Sequence, residues 1–331
     1  MIWIKPDTGS NFVILWANVH SYTIVRRRQV TSKRQREIVS APNGSVWSTE
    51  TLCTDMASGP PPPGSEVYTS GYDANLMKMQ MAKTPEVQAA FLLPYLKPGQ
   101  ALLDCGCGPG GLSLGFARLV SPGGRVHGID REAEMVQKAN ENAEAAGLAD
   151  VAKFHQANAY SLPFADATYD VVTGWGLILY LSDPQKAIRE MLRVLKPGGV
   201  IAFLSADWGG CLYTPETPGV VAAMQYFEKM MAKDGGDAHC GRKLKRMIAE
   251  AGLEPLHVGY RYDPNIISPD VGADFLAKHV TESVEKQGAL EKGWTTKEEA
   301  DAMLSGLEEF KSDPDAVFVV SFCEVAGRKP V

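Results

Sequence analysis

An aspartate at the end of an apolar run, followed at once by alternating glycines, most narrows what this chain can fold into. The segment Leu103-Asp104-Cys105-Gly106-Cys107-Gly108-Pro109-Gly110-Gly111 reads as the end of a short buried strand (101–104), a tight turn, and the start of a helix running to about Val120. Glycines in such a turn permit a sharp strand-to-helix reversal and let a ligand approach the backbone with no Cβ in the way. Further strand-like segments at 125–130, 151–158, 169–174 and 199–205 alternate with helical ones at 132–146 and 184–195. That alternation predicts an α/β fold with a doubly wound, mostly parallel sheet of seven strands and helices on both faces.

Upstream, Thr84-Pro85-Glu86 is a helix start, a hydroxyl N-cap followed by proline at the first helical position. The helix carries Phe91, Leu92 and Leu93, is disturbed by Pro94 and ends at Pro98-Gly99. Beyond Asp207 the pattern loosens into an insertion, a helix near 241–251, a strand near 256–260, two more helical stretches and a closing β-rich run at 316–325. The expected organisation is an extension and Pro-rich linker at 1–65, an N-terminal lid and ligand-binding core at 66–207, a mainly helical cap at 208–310, and a strand completing the sheet at 311–331.

Charge divides the chain unevenly. The first 55 residues carry seven Lys/Arg against four Asp/Glu, a net of +3 that leaves −9 on the rest of a chain whose total is −6. An acidic body argues against a nucleic-acid partner. Three readings fit the basic head: a dispensable extension, an organelle-targeting segment, or sequence preceding a start at Met56. A cytoplasmic location is expected, with organelle import through the head as the alternative. No apolar run approaches the ~20 residues of a membrane span, so no membrane partner is expected. Six cysteines are too few for a disulfide scaffold. Cys105-x-Cys107 lacks further ligands and reads as small residues filling a tight turn, so no metal is expected.

Gly106, Gly108 and Gly111 also fit GxGxxG, which alone is a weak dinucleotide signal. The acid decides. Asp104 would repel a pyrophosphate, whereas it suits a ligand with a cationic amino-acid end and no phosphate, such as S-adenosylmethionine. Asp130, at the end of the second strand, is placed to take both ribose hydroxyls, with Arg131 beside it. After the third strand, Asn158-Ala159-Tyr160-Ser161-Leu162-Pro163-Phe164 suits an adenine edge.

These pieces, with Tyr169-Asp170-Val171-Val172 and Leu195-Lys196-Pro197-Gly198-Gly199, stand in an order that resembles the class I S-adenosylmethionine-dependent methyltransferases. The nearest likeness is to their ubiquinone/menaquinone-biosynthesis branch and its secondary-metabolite relatives. The resemblance covers about 83–207, more weakly 68–253. It implies that Gly106 and Gly108 pack against the methionine and ribose part, with Gly110 also in the cofactor-binding turn, Asp104 near the amino group and Asp130 on the ribose. Asn158 stands where the family commonly has Asp, so an amide replaces a charged acceptor. Gly174 and Trp175 would lie beside the methionine end, Lys83 near the cofactor carboxylate, and Tyr68 over the cofactor.

Methyl transfer from a sulfonium needs alignment and exclusion of water more than covalent help, and a base only when the nucleophile is protonated. His239, in a loop before a basic helix, and Tyr180, after the fourth strand, are the candidate proton acceptors. Tyr72, Trp208, Tyr213, His239 and Arg242 are the candidate acceptor contacts. The expected activity is transfer to O or N of a small aromatic or heterocyclic metabolite. Carbon methylation of a quinone precursor, a non-catalytic S-adenosylmethionine-binding protein and, disfavoured, an NAD(P) oxidoreductase are the alternatives. Monomer and homodimer stay equally open.

Overall fold

The computed structural model describes residues 61–331; the expectations for the basic head lie almost wholly outside them. Strand β1 (Ala101–Cys105) is buried along its whole length, as a central parallel strand must be when helices cover both faces. Its side chains alternate between two cores. Ala101, Leu103 and Cys105 enter one and Leu102 the other, following the period of two of a pleated strand.

Helix α3 (Gly111–Val120) leads from the glycine turn to β2 (Arg125–Asp130). Helix α4 (Ala133–Ala145) connects β2 to β3 (Ala152–Gln156). Strand β4 (Tyr169–Trp175), helix α5 (Pro184–Val194) and β5 (Leu195–Ala206) continue the winding on the other side of β1. The parallel order is β3-β2-β1-β4-β5. Chain reversal on either side of β1 makes the carboxyl ends of β1 and β4 a switch point, where open α/β sheets bind ligands. Asp170 fixes the opposite edge, accepting from the Ala101 N–H at 2.9 Å and from Lys196 Nζ at 2.7 Å.

Two antiparallel strands finish the sheet. Strand β8 (Val317–Arg328) pairs β5 along one edge and β7 (Glu254–Ile267) along the other. An eighth, three-residue strand, β6 (Leu212–Thr214), continues the β5 edge of β8. It is too short for its sequence pattern to stand out.

The first predicted helix after Thr84 is instead two pieces, α2 (Pro85–Gln88) and a 3₁₀ turn at Leu93–Tyr95: the backbone leaves helical geometry at Ala89, with φ −129° and ψ 24°, and Pro94 lacks the N–H to resume it. Before it lies α1 (Ala74–Met81), capped by Asp73, whose carboxylate accepts from the Leu76 N–H. The Lys196–Gly199 stretch lies within β5, where the register with β4 shifts between Tyr169 and Val171.

The 208–310 stretch divides in space. Helix α7 (Leu244–Glu250) and β7 serve the sheet. Helices α6 (Pro218–Lys233), α8 (Pro269–Glu285) and α9 (Lys297–Ser312) pack on one another. Among the described residues no helix is long and apolar enough to cross a membrane. Helices α6 and α9 touch backbone to backbone: a Cβ built on Gly306 would stand 2.6 Å from the Gly219 Cα. Gly306→Ala should therefore force the helices apart and cost about 1–3 kcal/mol, read as a lower urea midpoint at unchanged m-value.

Candidate functional site

The carboxyl ends of β1, β2, β3 and β4 converge on one cavity of about 140 Å³, roofed by the 64–83 segment. The glycine turn forms its floor. Gly106 and Gly108 adopt φ of 74° and 52°, in the left-handed region that side chains disfavour. Gly106 and Cys107 donate their N–H groups to the Ile129 carbonyl, which locks the turn onto the end of β2.

Asp104 lies beneath this turn, 2% exposed. Ser113 Oγ donates to its Oδ2 at 2.5 Å and Thr173 Oγ1 to its Oδ1 at 3.0 Å. Burial pushes its carboxyl up to about 6, against the hydroxyls of Ser113 and Thr173, which favour the ion. Asp130 accepts from the Gly108 N–H and the Glu132 N–H, each at 3.0 Å. Burial raises its carboxyl as well, opposed by those two amides. Two carboxylates thus face the cavity, each with lone pairs left after its protein hydrogen bonds.

The third wall is the loop after β3. Asn158 Oδ1 accepts from the Tyr160 N–H at 2.9 Å, a local turn that orients the amide. Its Nδ2 is close to Gly64, where an added Cβ would stand 2.9 Å away. The fourth wall follows β4: Gly176, Leu177, Tyr180 and Leu181 line the cavity, and Leu177 presses on Gly106.

Three tyrosines cluster at the roof, Tyr68 lying 5.0 Å from Tyr72 and 4.6 Å from Tyr180 between ring centroids. Tyr180 Oη and Ser70 Oγ share a 2.6 Å hydrogen bond. Burial, first among the causes, raises all three phenols. They are neutral at pH 7 and act as hydrogen-bonding and aromatic surfaces. A role for Tyr180 as proton acceptor has no support in that environment.

Of the sequence candidates, Tyr68, Tyr72, Lys83, Asp104, Gly106, Gly108, Asp130, Arg131, Asn158, Ala159, Trp175 and Tyr180 line the cavity. Six others lie elsewhere. Gly110 caps α3 and packs toward Phe154 and Ala139, and Gly174 packs toward Phe203. Trp208 lies between Phe227 and Phe275 at centroid distances of 4.5 and 5.0 Å. Tyr213 stacks on Phe318. Arg242 forks onto Asp207, with Nε to Oδ2 and Nη2 to Oδ1 both at 2.7 Å. His239 Nε2 meets Glu228 Oε1 at 3.1 Å. Trp175 also turns its indole into the core, donating to the Gln88 carbonyl and stacking on Phe91.

Sequence reasoning missed Glu66, Gln80 and Leu177. Glu66 is 5% exposed and Gln80 Oε1 comes within 2.9 Å of a Cβ built on Gly108. Cys105 and Cys107 are buried, and burial raises both thiols. Among the described residues no group of three or more His, Cys, Asp or Glu could hold a metal ion.

A methyltransferase-domain family profile matches residues 96–252. A demethylmenaquinone methyltransferase of Bacillus cytotoxicus is 34% identical over 176 residues, 49% of this chain and 73% of that protein. An uncharacterised methyltransferase of Schizosaccharomyces pombe is 34% identical over 155 residues, 45% of this chain and 55% of the relative. The chain spans about half the length of the first curated relatives it matches. The crystal structure of a candidate methyltransferase from Bacillus halodurans shares the fold, with a TM-score of 0.52 at 20% identity over 74% of this chain and 100% of that one.

The raised Asp104 carboxyl has a stability consequence whose sign is fixed. Its folded value near 6 lies above the unfolded one, so the folded state favours the protonated form and loses stability as pH rises from about 4 to 6. Asp104→Asn removes that loss. Relative to wild type, the variant should gain up to about 3 kcal/mol between pH 4 and pH 7, measured by urea unfolding of both proteins across that range.

Proposed function

The chain belongs to the class I S-adenosylmethionine-dependent methyltransferases, and from that premise we propose that it transfers the methyl of S-adenosylmethionine to O or N of a small aromatic or heterocyclic metabolite. The observation that carries the cofactor assignment is the meeting of Asp104, Asp130 and Asn158 around one cavity, each contributed by a different strand end. Asp104 would face the methionine ammonium, Asp130 the ribose hydroxyls, and the Asn158 loop the adenine edge. Lys83, at the rim, would serve the cofactor carboxylate.

The cofactor supplies an electrophilic methyl on a sulfonium. Held by Asp104, Asp130 and the Asn158 loop, it would offer that methyl to an acceptor lone pair, with S-adenosylhomocysteine as the leaving group. The chain's own contribution is to hold the partners in line and keep water out. The neutral tyrosines and the leucines 177 and 181 suit that role, since the positive charge on sulfur disappears as the reaction proceeds. His239 lies off the cavity and the Tyr180 phenol is held neutral beside Ser70, which favours an acceptor whose nucleophilic atom arrives unprotonated.

A second reading, transfer to a ring carbon of a quinone precursor, is favoured by the likeness to the Bacillus cytotoxicus demethylmenaquinone methyltransferase. Incubation with ¹³C-methyl-labelled cofactor and a panel of phenols, quinols and N-heterocycles separates the readings, because O-, N- and C-methyl carbons resonate in distinct ranges. Absence of label in every product, with cofactor bound, would favour a non-catalytic binding protein.

Two outcomes are expected for the cofactor. Asp130→Ala should weaken S-adenosylhomocysteine by about tenfold or more, through lost charge-assisted hydrogen bonds worth ~1.5–3 kcal/mol; calorimetry giving a change under twofold would sink the ribose assignment. A cation beside Asp104 favours its ionised form, so ligand affinity should fall as pH drops through about 6 and level off above it. A flat titration from pH 5 to 8 would separate Asp104 from the ammonium.

A further inference from the structure

The segment 61–73 crosses the cavity, and one of its carboxylates bridges two of the cavity's walls. Glu66 Oε1 accepts from Tyr160 Oη at 2.6 Å, from Ser182 Oγ at 2.6 Å and from the Ser182 N–H at 3.0 Å. Its Oε2 accepts from the Gly64 N–H at 2.8 Å. Tyr160 belongs to the loop after β3 and Ser182 to the loop after β4, so the carboxylate joins two walls of the cavity to its roof. Arg131 adds a second tie, donating to the Glu66 carbonyl at 2.6 Å. We propose that Glu66 is a positioning residue for the transfer reaction, seating this segment as a strap over bound cofactor and setting the spacing of the two loops beneath it. The proposal rests on the reading of the cavity as the S-adenosylmethionine site.

Two further observations give the strap a cycle. With it seated the cavity is about 140 Å³, below the ~300–1,000 Å³ of sites that enclose small molecules. Gln80 Oε1 also stands over Gly108, where the cofactor would approach the turn. Cofactor entry and product release therefore require the strap and α1 to shift, and the Glu66 hydrogen bonds to break and re-form.

The far side of the strap grips the helices α6 and α8. Thr69 Oγ1 donates to Asp234 Oδ2 at 2.7 Å, and Lys278 Nζ donates to the Ser70 carbonyl at 3.0 Å. His279 Nε2 lies 3.0 Å from the Thr69 carbonyl. Those ties leave the strap attached to the helices when the Glu66 end lets go. Glu66 is thus the releasable end.

Glutamine is the discriminating substitution. Donors face both carboxylate oxygens, so an amide NH₂ opposes a donor in either orientation. Release of tritiated S-adenosylhomocysteine, chased with unlabelled ligand, should be at least tenfold faster for Glu66→Gln than for wild type. Backbone amides of 61–73 should lose hydrogen-exchange protection in the same variant. Glu66→Asp, which keeps the charge on a shorter arm, should restore part of the slow release. Tyr160→Phe, which deletes a single donor and suits a case where Glu66→Gln does not fold, should speed release about threefold. Release within twofold of wild type in the folded variants, even with a lower Tm, would assign Glu66 a purely structural role and overturn the proposal. Wild-type protein that fails to bind S-adenosylhomocysteine would overturn the cofactor reading itself, and the strap proposal with it.

Discussion

The Asp104 carboxylate, buried at the carboxyl end of β1, ties three elements together through two hydroxyls. Ser113 reaches it from the first turns of α3 and Thr173 from β4, so the glycine turn above it is held between its own helix and the neighbouring strand. Burying an ionised carboxyl with only two short-range donors is unfavourable, and its raised titration reflects that cost. A chain selected for stability alone would place an amide or an apolar residue there. On the proposed reading, a cationic ligand end would offset that charge, a trade of stability for function.

From that point the other walls follow by topology. The Gly106 and Cys107 amides are fixed on the Ile129 carbonyl, which sets the glycine turn against Asp130, and the Asp130 carboxylate in turn holds the Gly108 amide. The glycine turn and Asp130 are therefore one hydrogen-bonded unit. Parallel pairing of β2 with β3 brings the Asn158 loop alongside. Strand ends that are far apart in sequence become neighbours because the sheet winds outward from β1 in both directions.

That explains which features are readable in sequence. Asp104, Gly106, Gly108 and Asp130 announce themselves because each sits at a strand end whose local pattern marks it. Glu66 does not: its partners lie 94 and 116 residues away, and a lone glutamate in a Pro-rich approach carries no periodic signal. The residues after β5 mislead for the converse reason. Trp208, His239 and Arg242 have the chemistry of a substrate pocket, yet Asp207, Glu228 and the α6 and α8 aromatics draw them into a separate cluster. Trp175 is an intermediate case, at the right strand end but with its indole claimed by Phe91 and the Gln88 carbonyl. Short elements were hidden for lack of length: β6 has three residues.

The account's central claim is that Asp104, Asp130 and the Asn158 loop form one S-adenosylmethionine site. A crystal structure with S-adenosylhomocysteine bound tests it directly. The account predicts ribose hydroxyls within hydrogen-bond reach of the Asp130 carboxylate, the ligand ammonium on the Asp104 side of the glycine turn, and Gln80 displaced from Gly108. Ligand bound elsewhere, or in the same cavity with its ribose away from Asp130, would contradict it.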